Sequence, residues 1–303
     1  MTIGRQDQER IKAMANKLHT TLISSGILGK REMPEYLLPL GVEEGSLEHI
    51  LFITLTVSLD YQRDADTLWK RSRMAYQDER TRYLFDPKLL HEVPYKTIKN
   101  DLQKHNVSQK ITKDAEIWRT VGVTFYKKWE GDPRKFLADC NWDCPEILSR
   151  LKDDSHQYNG RIRRDFPYLR GNKIGPLWVR MLRDNVGISE LRNLNMVPIP
   201  VDIHVARASM ALGVVRGRYN GNLEEIYDQI RFAWREGVLG IQVKNREMVA
   251  LDMDLPLWLL SRNGCTSRDK VTGICPKTDK CPIKEFCVPG RIDIKGTKII
   301  IDT

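Results

Sequence analysis

The sequence predicts an all-α fold, on three observations. Apolar residues recur at three- and four-residue spacing over most of its 303 positions. Proline and glycine fall between those periodic runs rather than inside them. Alternating, strand-like patterning is scarce before Arg291–Asp302, where RIDIKGTKIII reads as a small terminal hairpin about Lys295-Gly296.

The elements follow in order. Arg5 to Ile23 forms an amphipathic helix on Ile11, Met14, Leu18 and Leu22. Gly29 to Gly45, with two prolines, reads as a linker. Ser46 caps a strongly apolar helix over Leu47–Leu59, too short to span a bilayer. A turn at Asp60-Tyr61-Gln62-Arg63-Asp64 leads into a helix through Trp69 and Met74. Leu84 to Asn100 is proline-broken and mixed. Asp101 to Trp129 reads as helical, with Trp118, Val121, Phe125 and Trp129 as its packing face, and Gly131-Asp132-Pro133 ends it. Cys140 and Cys144 are spaced for one helical face and read as core thiols. Pro176–Asp184, Val205–Leu212, Leu223–Val238 and Ile241–Ala250 complete the helical set.

Composition is that of an ordinary soluble chain, 41% hydrophobic and 29% charged. Net charge +9 and a pI near 9.2 favour a polyanionic partner, although a basic surface without such a role stays open. The N-terminal segment has no apolar stretch of signal-peptide type, so the expectation is a cytoplasmic, nucleoid-associated monomer with no membrane attachment.

Pro167–Gly213 carries the densest chemical signal. In Gly171-Asn172-Lys173-Ile174-Gly175 the glycines permit positive φ and close backbone approach, so main-chain N–H groups are expected to point outward ahead of a helix. Lys173 falls where a helix dipole would depress its amine, and a phosphate-binding lysine is the alternative. Pro198-Ile199-Pro200-Val201 is an extended lead-in that places Asp202 at a helix N-cap. Arg161, Arg163, Arg164 and Arg170 beside the turn suit phosphate clamping.

The second signal is Cys265, Cys275, Cys281 and Cys287. Four thiols within 23 residues of a chain expected in the cytoplasm imply a metal centre, and thiolates suit either an iron–sulfur cluster or zinc. Lys270, Lys277, Lys280 and Lys284 interleave them and are further candidates for phosphate contact.

The segments GNKIG and VDIHVAR resemble the helix-hairpin-helix DNA glycosylases, the superfamily of endonuclease III and the 8-oxoguanine glycosylases. The wording PIPVD is closest to the archaeal 8-oxoguanine branch. The resemblance implies two helical lobes with a helix-hairpin-helix motif, divided as 1–45 (packing with the C-terminal lobe), 46–189 and 190–303, with double-stranded DNA across the groove. It implies Lys173 and Asp202 as catalytic residues, and Arg170, Gly171, Asn172 and Gly175 as DNA-binding. Tyr61 or Gln62 would fill the space left by an extruded base, and the four cysteines would hold a [4Fe–4S] cluster, with zinc as the alternative. The implied activity is excision of a damaged or modified base, with abasic-site lyase chemistry through a lysine Schiff base. A glycosylase using Asp202 and water, and a non-catalytic metal-stapled DNA-binding protein, remain the alternatives. The excised base is not legible, because its pocket is assembled from scattered side chains.

Overall fold

Helix α1, Arg5–Ser24, opens the computed structural model, which describes residues 5–243 and 245–303. Contacts divide the chain into two units, one of Pro34–Met196 and one made of the chain up to Met33 with Val197–Thr303.

The Pro34–Met196 unit contains α2 (Leu47–Val57), α3 (Ala65–Gln77), α4 (Pro87–Glu92), α5 (Tyr95–Lys104), α6 (Ile111–Trp129), α7 (Pro133–Asp139) and α8 (Cys144–Asp153). A hairpin of β1 (Ser155–Tyr158) and β2 (Arg161–Arg164) follows, and then α9 (Ile174–Met181). Local chemistry sets most of these starts. Ser46, Asp64, Asp86, Asp132 and Asp143 each accept a first-turn N–H, and proline occupies the first or second position of α4, α7 and α8.

Helix α2 is buried from His49 to Val57 and packs on α3, α6 and α9. The Trp178 indole of α9 donates to the Thr54 hydroxyl at 2.9 Å, between fully buried side chains. Arg180 of α9 is also fully buried and pairs with Glu35. The stretch that reads as a linker in the sequence therefore supplies a core carboxylate.

The helix expected over Asp101–Trp129 is two. Asn106 at φ +53° turns the chain, and Asp114 accepts from the Gln109 and Lys110 N–H groups at 2.7 and 2.9 Å, so α6 starts afresh at Ile111. After α9 the helix widens into one π turn, Leu182–Val186, closed by Gly187 at φ +81°.

The other unit contains α1, α10 (Ile203–Ala211), β3 (Arg218–Asn222), α11 (Glu224–Gly237), β4 (Gln242–Val243), β5 (Arg246–Glu247), α12 (Asp254–Asn263), β6 (Arg291–Lys295) and β7 (Lys298–Asp302). Helix α1 packs on α11 and α12, and α10 lies on α12. The terminal hairpin β6–β7 forms where the sequence places it, and β3 extends it to three antiparallel strands in the order β3-β7-β6. Ile292, Ile299 and Ile301 bury its inner side.

The helix expected over Ile241–Ala250 is absent. Antiparallel β4 and β5 pair Gln242 with Glu247 and Val243 with Arg246, and Ala250–Met253 is a 3-10 turn. The β1–β2 hairpin, the β4–β5 pair and the terminal β3-β7-β6 sheet are the strands described in an otherwise helical fold. No helix among the described residues is long and apolar enough to cross a membrane.

Gly237 tests the packing of α1 on α11. A Cβ there would lie 2.1 Å from Ile11 Cγ2 and 2.9 Å from its Cβ. Overpacking of that kind costs about 1–3 kcal/mol, against about 0.5–1 kcal/mol gained from replacing a helical glycine. Gly237→Ala is therefore expected to lower the urea midpoint of unfolding, and an unchanged or raised midpoint would show that this helix pair is more loosely packed.

Candidate catalytic site and cysteine centre

Lys173 is the N-cap residue of α9, with helical backbone angles and no side-chain cap. Its Nζ donates to the Asp60 carbonyl at 3.2 Å and lies 3.8 Å from the Asp60 carboxylate. Asp60 is only 6% exposed and sits in the turn that ends α2. Because Thr54 and Trp178 join α2 to α9, both partners of this pair are fixed from the same core. Asp60 sets a carboxylate within ion-pair range of an amine that the helix end alone would disfavour as an ammonium.

The turn before α9 departs from the expected glycine geometry. The positive φ falls at Tyr168, at +64°, whereas Gly171 and Gly175 have ordinary backbone angles. Their N–H groups bond to the Tyr168 and Gly171 carbonyls at 2.9 Å each, so neither points outward. The glycines serve close approach instead. A Cβ on Gly171 would meet the Tyr168 oxygen at 3.1 Å, and one on Gly175 would meet the Leu169 oxygen and Leu148 at 3.1 Å. Asn172 is exposed and Arg170 is half-buried.

Tyr61 and Gln62 behave differently from each other. The Tyr61 ring stacks on Tyr168 at 4.0 Å between centroids, and its hydroxyl donates to buried Asp114. Lys110 and Lys113 stand over the two rings at 5.0 and 4.8 Å. Burial and the Asp114 carboxylate push the Tyr61 hydroxyl well above its ordinary value. Gln62 is exposed at the apex, at φ +50°, and accepts from Lys110 Nζ at 2.9 Å. Arg63 was not foreseen from the sequence. Its three guanidinium nitrogens are buried with no hydrogen-bond partner among the described residues, and burial holds its pKa below the usual arginine range.

In the other unit, Asp202 is the N-cap of α10. Its Oδ1 accepts from the His204 and Val205 N–H groups at 2.8 Å each, and Oδ2 accepts from no described residue. His204 and Arg207 explain the rest of the VDIHVAR pattern. His204 Nδ1 lies 3.3 Å from the Ser261 hydroxyl of α12, with its ring edge-on to Trp258. Arg207 donates to Ser261 and to Thr266, beside Cys265, at 3.4 Å each. His204 fastens α10 to α12, and Arg207 fastens it to α12 and to the turn that carries Cys265. Tyr227 of α11, also unforeseen, is pushed up to about 12 by burial and by the nearby Asp202 charge.

The four cysteines line one small cavity with Ala211, Leu212, Leu260 and Ile283. Among the described residues, no three His, Cys, Asp or Glu side chains already stand as a metal-ligand set. The donor chemistry nevertheless fits a thiolate-bound group. Arg268, 7% exposed, donates to Cys287 Sγ at 2.9 Å and to the Val288 and Gly290 carbonyls. Burial pushes the Cys265 thiol up to about 12, reinforced by Cys287, Cys281 and Cys275, and a cation among the sulfurs would reverse that preference. Cys140 and Cys144 belong to the Pro34–Met196 unit, where both are fully buried, with thiols pushed up to about 11 and about 12 by burial. Of the interleaved lysines, Lys270 pairs with Asp293 at 3.0 Å and Lys277 donates to the Asn263 carbonyl at 2.7 Å.

Among solved structures, the chain is similar to endonuclease III trapped on DNA as a covalent intermediate, in an estranged-adenine complex. Identity is 14% and the TM-score 0.54, and the match covers 92% of this chain and 95% of that one. The likeness is one of fold, and the chain shares the helical fold of that endonuclease III structure over nearly its whole length. No family model matches the sequence, and no curated protein matches it either.

Tyr61→Phe checks the turn chemistry. Asp114 keeps its bonds from Ser108, Gln109 and Lys110, so the expected loss is about 1 kcal/mol. A raised tyrosine pKa contributes stability below the unfolded value of 10.0 and loses it as pH rises further. The variant should accordingly show a flatter decline in stability above that pH than the wild type, as followed by urea titration at several alkaline pH values.

Proposed function

We propose that this chain is a DNA glycosylase that extrudes a damaged or modified nucleotide from a duplex and cleaves its N-glycosidic bond. An abasic-site lyase step through Lys173 accompanies excision on this reading. The observation that carries it is the endonuclease III fold across nearly the whole chain, with a lysine and an aspartate each opening a helix inside the two matching motifs.

The chemistry needs two groups. As the N-glycosidic bond lengthens, its electron pair leaves with the base and positive charge grows on the sugar. The unspent oxygen of Asp202 is the group to stabilise that charge. Neutral Lys173 attacks C1′ and its extra proton passes to a carboxylate; the resulting N,O-acetal collapses to a protonated imine as the C1′–O4′ bond breaks and O4′ takes that proton back. Removal of a C2′ proton then expels the 3′ phosphate and nicks the strand. If Lys173 stays on Asp60 instead, water directed by Asp202 gives base removal alone.

Cys265, Cys275, Cys281 and Cys287 would hold a [4Fe–4S] cluster, with zinc as the alternative. Such a group supplies a structural cross-link here and takes no part in the bond-breaking steps. Gln62, exposed at the apex of its turn, is the better candidate to enter the space left by the extruded base, because Tyr61 is committed to Tyr168 and Asp114.

Borohydride trapping on a duplex with one abasic site tests the lyase step without knowledge of the target base. A covalent adduct is expected from the wild type and none from Lys173→Ala. Asp202→Asn keeps an N-cap, so its expected loss of about 10²-fold or more in excision would report the missing charge rather than a frayed helix. Trapping that persists in Lys173→Ala would remove this lysine as the nucleophile.

Metal analysis of the purified protein gives a second check. Iron and acid-labile sulfide should be present together and fall in Cys287→Ser, with a lower unfolding temperature. Zinc without sulfide would replace the cluster assignment, and neither metal would refute the centre.

A further inference from the structure

The hairpin Ser155–Arg164 is used by none of the steps above. Its strands pair from Ser155↔Arg164 to Tyr158↔Arg161, and Asn159 and Gly160 at the tip have φ +49° and +71°. Positive φ at both central residues makes a two-residue turn that matches the twist of the strands. Isolated two-stranded hairpins are marginal in water, and here the base is pinned. His156 Nδ1 lies 2.6 Å from buried Asp165, Arg163 pairs with Glu116 of α6 at 2.8 Å, and Arg164 donates to the Asp153 carbonyl at 2.8 Å.

Directly opposed residues share a face of the ribbon. His156, Arg163, Tyr158 and Arg161 occupy one side, on which the bonds to Asp165 and Glu116 are made. Ser155, Arg164, Gln157 and Ile162 occupy the other, with Ile162 74% exposed. Arg161, at the tip, has no hydrogen-bond or ion-pair partner for its guanidinium among the described residues. A ribbon with three arginines and no carboxylate, around an exposed isoleucine and an amide, has the composition of a surface for an anionic polymer with an apolar edge. A protein partner would be expected to require a broader apolar patch than one isoleucine and one tyrosine provide.

We infer that β1–β2 is a second DNA contact, a two-stranded ribbon seated in a groove of the duplex flanking the extruded nucleotide. Arg161 and Arg164 meet phosphates, and Ile162 and Gln157 face the base edges. The B-DNA major groove is wide enough for such a ribbon. The inference rests on the DNA-processing reading and adds an anchoring site outside the catalytic motifs.

The test is binding of the full chain to an undamaged duplex over a range of salt concentrations. Each lost phosphate contact flattens the plot of log K against log salt by about 0.9. Arg161→Ser with Arg164→Ser should therefore reduce the slope by about 2 and weaken binding about tenfold or more near 0.1 M salt. Ile162→Ser should weaken binding several-fold at unchanged slope. Arg80→Ser, an exposed arginine elsewhere, is the charge-loss control and should leave the slope as it was. Wild-type slope and affinity in the double variant would overturn the ribbon. Borohydride trapping on the same sequence with an abasic site separates the two readings. An adduct with no slope change sinks the ribbon alone, and a slope change with no adduct sinks the lyase reading alone. A wild type that binds no DNA overturns both.

Discussion

Helix α9 is buried at all eight of its positions, and this burial is what fixes the candidate nucleophile. A lysine side chain has many rotamers, and ordering it costs about 1.5–2 kcal/mol. That cost is offset only where the backbone below it does not move and a partner receives its amine. Trp178 to Thr54 and Arg180 to Glu35 hold α9 in the core, and Asp60 receives Nζ. Removing one member of a buried charge pair leaves the other unpaired, which is far more costly than any surface ion pair gains. The Glu35–Arg180 pair is consequently part of how Lys173 is placed, although it lies at the far end of the helix.

The unit that carries Asp202 uses a different device. The aspartate is tied to its own helix by two cap bonds. That helix is tied at its other end to the cysteine loop, where the Val288 N–H donates to the Ala211 carbonyl at 2.9 Å. His204 and Arg207 add lateral ties to α12 and Thr266. A metal-bound loop would in this way lock α10 from its C-terminal end, which gives the cysteines a positioning task without any redox chemistry.

Where one residue type at one position forces the geometry, the sequence was enough to read it. Asp202 as an N-cap follows from Pro198 to Val201 and the apolar run after it, and Ser46 follows in the same way. The isoleucine alternation of the terminal hairpin was equally clear. What escaped was structure without an apolar signature. The β1–β2 strands are polar and four residues long, so no hydrophobic period marks them, and only Asn159-Gly160 announces a turn. Strand β3 pairs with β7 some 80 residues away, from Arg218↔Asp302, and its Asn-Gly-Asn stretch resembles a loop. At Gly171 and Gly175 the glycines are informative for a reason other than positive φ, because each allows a close backbone approach that a Cβ would crowd. Asp60 became visible only when tertiary contacts brought it beside the candidate lysine, and Arg63 only when folding buried its guanidinium near Asp60 and Asp114.

Both candidate groups open helices, and the same field acts on them with opposite sign. The N-terminus of a helix carries roughly half a positive charge and favours a nearby anion by about 0.3–1 kcal/mol. At α10 this favours the carboxylate of Asp202, whose two cap bonds already use the N–H groups that produce the field. At α9 the same end opposes an ammonium on Lys173. Asp60 supplies the answer, with a carbonyl at 3.2 Å and a carboxylate at 3.8 Å from Nζ. A buried carboxylate placed there has a physical reason independent of any reaction, since it lets a cation stand at the unfavourable end of a rigid helix. Loss of the Lys173 proton would then leave that carboxylate without its counter-charge, with Arg63 as a nearby guanidinium to take up the balance.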